Sequence, residues 1–328
     1  MLMLSKNFTA KHGIIVFMDT PITQSKAWYK LQQDLNEKAV FNQTENYQFL
    51  AIIKSTPVCN YLYLPYGPVY RDKKSFQEAF KELQEIANKY DASFIRTEPQ
   101  DPNFTEYLPK NTKKSHDLNP KETWVLDLTG TDEELKQKLP SRLYRYYKSA
   151  DKKGITTEVS HNPEDIQHLI KLQQALAKEK GINTFSENYL KTELSQPFAT
   201  LYLVKYQNPE TKNQEIIAAG LVFDDKTTRY NLQGAQSDKG RELHATGILT
   251  IQLIKDAKAK NLKIFDFWGI APEGAPKNHP WSGFTNFKKT FAGYQKNYAG
   301  TYDIILKPAK YKLYQATRKL NQLRRRIK

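Results

Sequence analysis

The sequence predicts an α/β protein of two domains, and three observations carry that prediction. Short runs rich in aromatic and branched residues flank a well-marked helix in the first third: FLAIIKS from Phe49 and NYLYLPYG from Asn60 precede it, and SFIRTEP from Ser93 follows. A polar Lys/Asn/Pro-rich stretch from Pro109 to Lys121 precedes a new strand, TWVLDLTGT, and marks the boundary. Beyond it, three strand-like runs, one long helix and one further strand follow in the order β-β-β-α-β.

The helix of the first domain opens near Ser75, because Ser75 and Glu78 have capping-box spacing and Phe76, Phe80, Leu83, Ala87 and Tyr90 recur at helical intervals. The second domain starts near Glu122. Thr131 and Glu134 again have capping-box spacing. Asn162, Pro163 and Gly181 supply an N-cap, an N1 proline and a terminal glycine for a helix whose buried stripe is Ile166, Leu169, Ile170, Leu176 and Ala177. ATLYLVKYQ, EIIAAGLVFDD and TTRYNLQGAQ read as an antiparallel meander. The helix Gly247 to Lys260 is apolar on more than one face, which predicts deep burial before the strand KIFDFWG. An acyltransferase fold of the GNAT kind has this order, although fold by itself does not fix chemistry.

Composition narrows the classes. The 328 residues, 39% hydrophobic and 12% aromatic, suffice for two cores. Cys59 is the single cysteine, which excludes an intramolecular disulfide and a cysteine-built zinc site, and fits a reducing cytosol. No apolar run approaches the roughly 18 residues of a membrane span. The start, MLMLSKNFTAKHG, is shorter than a signal h-region and lacks its basic n-region, so a cytoplasmic location is expected. A net charge of +15 suits a polyanion such as tRNA or an anionic leaflet. From Lys307 to Lys328 there are nine lysines or arginines and no acid, with Tyr311, Tyr314, Leu320 and Leu323 interleaved. Such a basic amphipathic helix suits the inner face of the plasma membrane, a nucleic-acid backbone, or docking on the first domain with its charges in water.

Seven segments, in register over most of the chain, resemble the FemABX family of aminoacyl transferases. They are TQSKAW (Thr23 to Trp28), YLPYGPV (Tyr63 to Val69), IRTEP (Ile95 to Pro99), VLDLT (Val125 to Thr129), SRLYRYYKSADKKGI (Ser141 to Ile155), FDFWGI and FTNFKKTFAGY. The resemblance implies two GNAT-like domains: residues 1–121 with 307–328 on the side of a peptidoglycan precursor, and residues 122–306 on the side of aminoacyl-tRNA. The stretch Ser186 to Thr200 is too short for the coiled-coil arm that some members carry. No cofactor or metal is implied, because the aminoacyl ester of the tRNA co-substrate is already activated and positioning dominates the rate.

By the same resemblance Lys288, beside Phe287, stands near the acceptor end of the tRNA as holder of phosphate or of the tetrahedral intermediate. Glu98 stands where the family has an acid suspected as a base, and Arg96 beside it suggests a partner that keeps it ionised. Tyr189 matches a tyrosine that contacts the phosphates of a soluble nucleotide precursor, yet the arginine expected four residues earlier is Phe185. That loss shifts weight from a UDP-linked towards a lipid-linked, lipid II-like precursor. A lysine expected four residues after the tryptophan is Gln32, with Lys30, Arg142 and Arg145 as candidates for the missing charge. Tyr66 and Gly67 end one strand and Trp268 and Gly269 another, where backbone can approach a substrate closely.

Two other classes remain open. A GNAT acyl-CoA transferase would need a Gly-rich pyrophosphate loop, and GRELHATGIL keeps Arg241 and Gly247 without the spacing. A non-catalytic RNA-binding protein would rest on charge and the basic C-terminus alone. Serine or cysteine catalysis finds no support: the six histidines, His12, His116, His161, His168, His244 and His279, are scattered.

Overall fold

A computed structural model describes residues 20–180 and 184–327. The N-terminal run with His12, and Gly181, lie outside the described residues. In the first half, α1 (Lys26–Asp34) leads to β1 (Ala39–Gln43), β2 (Tyr47–Ser55), β3 (Asn60–Leu64) and the short β4 (Val69–Tyr70). Then α2 (Lys73–Lys89) crosses to β5 (Ala92–Thr97), and β6 (Thr112–Lys114) follows. The second half begins with β7 (Glu122–Asp127), α3 (Asp132–Lys138), α4 (Ser141–Lys148), β8 (Ile155–Ser160), α5 (Ile166–Lys180) and α6 (Glu187–Leu194). It continues through β9 (Ala199–Gln207), β10 (Gln214–Asp224), β11 (Thr228–Gln236), α7 (Asp238–Glu242), α8 (Ala245–Ala259) and β12 (Ile264–Gly269). After α9 (Ser282–Lys289) and β13 (Tyr294–Asn297), the chain returns through β14 (Tyr302–Ile305) and α10 (Pro308–Ile327).

Two sheets result. One has the order β1-β2-β3-β5-β14-β6, with β4 on β2; the other runs β13-β7-β12-β11-β10-β9-β8. In each, three strands lead to a helix that crosses to a strand parallel to the third: α2, after the two-residue β4, lies between β3 and β5, and α8, after the short α7, lies between β11 and β12. This repeated β-β-β-α-β order gives two GNAT-like halves, and α6 is a single short helix where an arm would stand. The meander β9-β10-β11 is antiparallel throughout. The return to the first sheet comes before residue 307, because β14 pairs with both β5 and β6.

Local chemistry explains the ends. The first helix cap is Asp72 rather than Ser75: Asp72 accepts from the Ser75 amide, and Ser75 answers from the third helical position. Thr131 and Glu134 form the expected box at α3. Asn162 caps a single turn at Pro163 that runs into α5.

The cores show how the halves join. On one face of the second sheet, α4 and α8 cover Phe265, Phe267, Val204 and Val222. The opposite face packs Leu201, Leu203 and Leu221 against Ile166 and Leu169 of α5, and also against Trp28, Leu31, Leu50 and Ile52 of the first half. A shared apolar core therefore welds the halves. Elsewhere Arg96, 1% exposed, pairs with Asp303 through two contacts of 2.7 and 2.8 Å and lies over the rings of Tyr61, Phe94 and Tyr314. Tyr311 also donates to Asp303, at 3.0 Å, so this buried pair anchors α10 to the first sheet. Arg96 therefore does not partner Glu98, as the sequence suggested; Asp303 on the neighbouring β14 takes its guanidinium instead.

Candidate active site

Strands β11 and β12 pair from Thr228↔Ile264 to Tyr230↔Asp266 and no further. At that separation β12 ends in Trp268 and Gly269, and Trp268 adopts a left-handed backbone with φ 66°. Tyr66, in the loop after β3, is left-handed too, with φ 53°. Non-glycine residues in this region each cost of order 1–3 kcal/mol and persist only where surroundings impose them. Here the two rings meet edge to face at 5.5 Å, across the junction of the halves. Trp268 is held by its amide donating to Asp266 Oδ1 at 2.7 Å, and Tyr66 by its hydroxyl donating to the Pro120 carbonyl at 2.7 Å.

Lys288 approaches this corner from α9. Its Nζ donates to the Gly269 carbonyl at 2.6 Å, leaving further N–H bonds of the ammonium for another acceptor. Burial pushes the amine down from its ordinary 10.5 to about 8, against the opposing pull of the Asp266 charge. Asp266 is 4% exposed, and burial raises its carboxyl to about 6 despite the Trp268 amide and the charges of Lys296 and Lys288. Phe287 packs on the second core beside Phe291, which fixes the helix that carries Lys288.

Gly67 sits under Gln24, whose amide reaches Pro65 and Leu50 and pins the YLPYGP loop. The Thr97 hydroxyl holds the Gly67 carbonyl. Glu98, 2% exposed, accepts from five donors: Tyr63 Oη (2.8 Å), the amides of Leu118 (3.0 Å) and Asn119 (3.1 Å), Asn119 Nδ2 (2.8 Å) and Thr301 Oγ1 (2.7 Å). A carboxylate offers about four lone-pair sites, so this one has none free to take a proton from a substrate. The geometry fits a bracket for the segment 117–120 and not the expected base. Glu98→Gln is accordingly expected to lower stability in urea unfolding by roughly 2 kcal/mol, since an NH2 donor would replace one of the two oxygens that accept buried hydrogen bonds, while leaving the shape of the pH–rate profile unchanged.

The remaining expected residues lie in two other places. Lys30 on α1 is exposed and pairs with Asp34. Tyr189 on α6 stacks on the exposed Phe185 at 5.0 Å, above the buried Glu193, whose carboxyl is pushed up to about 8 by desolvation. Both helices border the core shared between the halves, as does Trp268. Arg142 and Arg145 do not join them. They are on α4, packed with α8 on the opposite face of the second sheet, where Arg142 donates to Tyr146 Oη at 2.9 Å. A sheet stands between these arginines and Lys30, so they cannot replace a charge there. Next to α4 is a cavity of about 190 Å³ lined by residues including Tyr146, Lys153 and His244, the last stacked on Tyr146 at 4.2 Å.

Asp266 escaped sequence reasoning although a single acid between Phe265 and Phe267 was its signal. Its closeness to Lys288 depends on how α9 packs on the strand end, which spacing does not encode.

Two halves of like strand order thus meet beside a desolvated lysine. The FemAB family profile matches residues 190–319. A solved structure of FemX superposes with a TM-score of 0.77 at 17% identity, covering 89% of this chain and 94% of that one. L-PGS from Bacillus licheniformis superposes at 0.56 with 16% identity, over 90% and 96% of the two chains. No curated protein sequence matches the chain. The profile match covers 130 of the 328 residues, and the likeness to FemX, at 17% identity, is one of fold.

Proposed function

We propose that the protein transfers an aminoacyl group from tRNA to an amine of a peptidoglycan precursor. The observation that carries this reading is the Lys288 ammonium, held on the Gly269 carbonyl in a desolvated corner. In the step proposed, the acceptor amine attacks the ester carbonyl, a C–N bond forms and the ester C–O bond breaks. The tRNA hydroxyl departs with a proton from the amine. Lys288 donates to the oxyanion that develops between these events, where a fixed cation in a water-poor site has its greatest effect. The buried Asp266 keeps the lysine charged. Phe185 in place of a cation, stacked over Tyr189, supports a lipid-linked acceptor over a nucleotide-linked one, because no bidentate phosphate donor is offered there.

Radiolabelled aminoacyl-tRNA incubated with lipid-linked or UDP-linked precursor tests the reading: label should enter the stem peptide, preferentially of the lipid-linked form. Binding of tRNA with no transfer to either acceptor would instead favour a non-catalytic RNA-binding protein. The pH dependence is a sharper expectation. Activity needs Asp266 ionised and Lys288 protonated, so kcat/KM should rise near pH 6 and fall near pH 8. Lys288→Arg, which stays charged, should lose the falling limb that Lys288 causes while retaining part of the activity.

A further inference from the structure

The helix α10 has two apolar faces, and the fold uses one. Tyr311 and Tyr314 turn inward onto Phe94, with Arg318 half-buried along the same side, while Lys307 and Lys310 bind Asp91 at the edge of the docked face. On the opposite side, Ala309, Leu313, Ala316, Leu320 and Leu323 follow one another at spacings of four and three residues, which places them in one stripe along the helix. Every one of them is exposed, Leu313 at 58%, Leu320 at 57% and Leu323 at 47%. Lys312 and Lys319 border the stripe on one side and Arg324 on the other, all exposed. From Lys307 to Lys328 the chain contains no acid.

A helix that only docked on the first sheet would need a single apolar stripe, with its outer face polar. The outer stripe therefore fits an external partner, and its border selects which. A nucleic-acid backbone would engage the cations and leave the leucines in water. A second copy of the chain would set one row of cations against another. An anionic bilayer uses both features, since its acyl boundary takes the leucines and its phosphates take the lysines and arginine. We propose that α10 seats the protein on an anionic lipid surface through Leu313, Leu320 and Leu323, flanked by Lys312, Lys319 and Arg324. The proposal stands on this helix alone and does not depend on the transfer reaction.

Flotation of the full chain with vesicles of phosphatidylcholine, with and without phosphatidylglycerol, tests it. The protein is expected to float with the mixed vesicles, to stay behind with pure phosphatidylcholine, and to be released as salt is raised. Changing Leu313, Leu320 and Leu323 together to serine should weaken vesicle binding about tenfold or more, because three apolar groups no longer enter the boundary. These side chains are exposed, so the thermal melt should not move; Lys312→Gln with Lys319→Gln and Arg324→Gln, which leaves the stripe intact, should weaken binding comparably. Vesicle binding that survives the leucine changes would overturn the proposal. So would a dimer that the leucine changes dissociate, or loss of tRNA binding rather than vesicle binding on those changes.

Discussion

Replacing Lys288 by methionine is expected to lower kcat/KM for aminoacyl transfer by roughly 100-fold or more, the range for removing one fixed donor to an oxyanion. Stability should not fall with it. The amine sits near 8 in the folded protein against an ordinary 10.5, so between those values the unfolded chain binds more protons and stability rises with pH. Below pH 8 the folded protein carries the full desolvation cost, on the order of 3 kcal/mol for this displacement. Methionine removes that cost and fills a similar volume. It also removes one of the charges that opposes the burial of Asp266, whose carboxyl should therefore protonate more readily. The measurement is kcat/KM alongside a thermal melt at pH 7: an inactive variant that melts at or above the wild-type temperature fits the assignment, and wild-type turnover removes it.

Gly269→Ala is expected to cost stability and activity together, about 2 kcal/mol and at least about tenfold, from a single methyl group. A Cβ at Gly269 would stand 2.4 Å from Pro120 Cγ and 2.7 Å from its Cβ. The proline ring has no rotamer that clears the space, so the segment 117–120 must shift. Pro120 accepts the Tyr66 hydroxyl, and Asn119 donates twice to Glu98, so the shift propagates to both. The Gly269 carbonyl, which fixes Lys288, moves as well. Gly283→Ala on α9 is the matched control: open space surrounds it, and alanine should be neutral or slightly stabilising there. Urea unfolding and steady-state kinetics on both variants distinguish a local clash from a general intolerance of the region.

The sequence by itself determined the elements and their order. Periods of two and of 3.6 residues, capping pairs such as Thr131 with Glu134, and the polar stretch 109–121 are local signals, and local backbone preference obeys them. The family motifs likewise marked Lys288, Trp268, Gly269 and Tyr66, which the fold does bring to one corner. Only the tertiary structure decided which charges face one another. Arg96 turned to Asp303, more than two hundred residues away, because β14 returns beside β5. Arg142 and Arg145 went to the far face of the second sheet, because the apolar side of α4 packs on α8. Glu98 became saturated by donors that come from β3, the 117–120 segment and Thr301. Asp266 and Lys288 acquired shifted acidities from a burial that neither residue's neighbours in sequence impose. Burial and pairing are properties of three-dimensional neighbours, and Coulomb and desolvation energies act through space rather than along the chain.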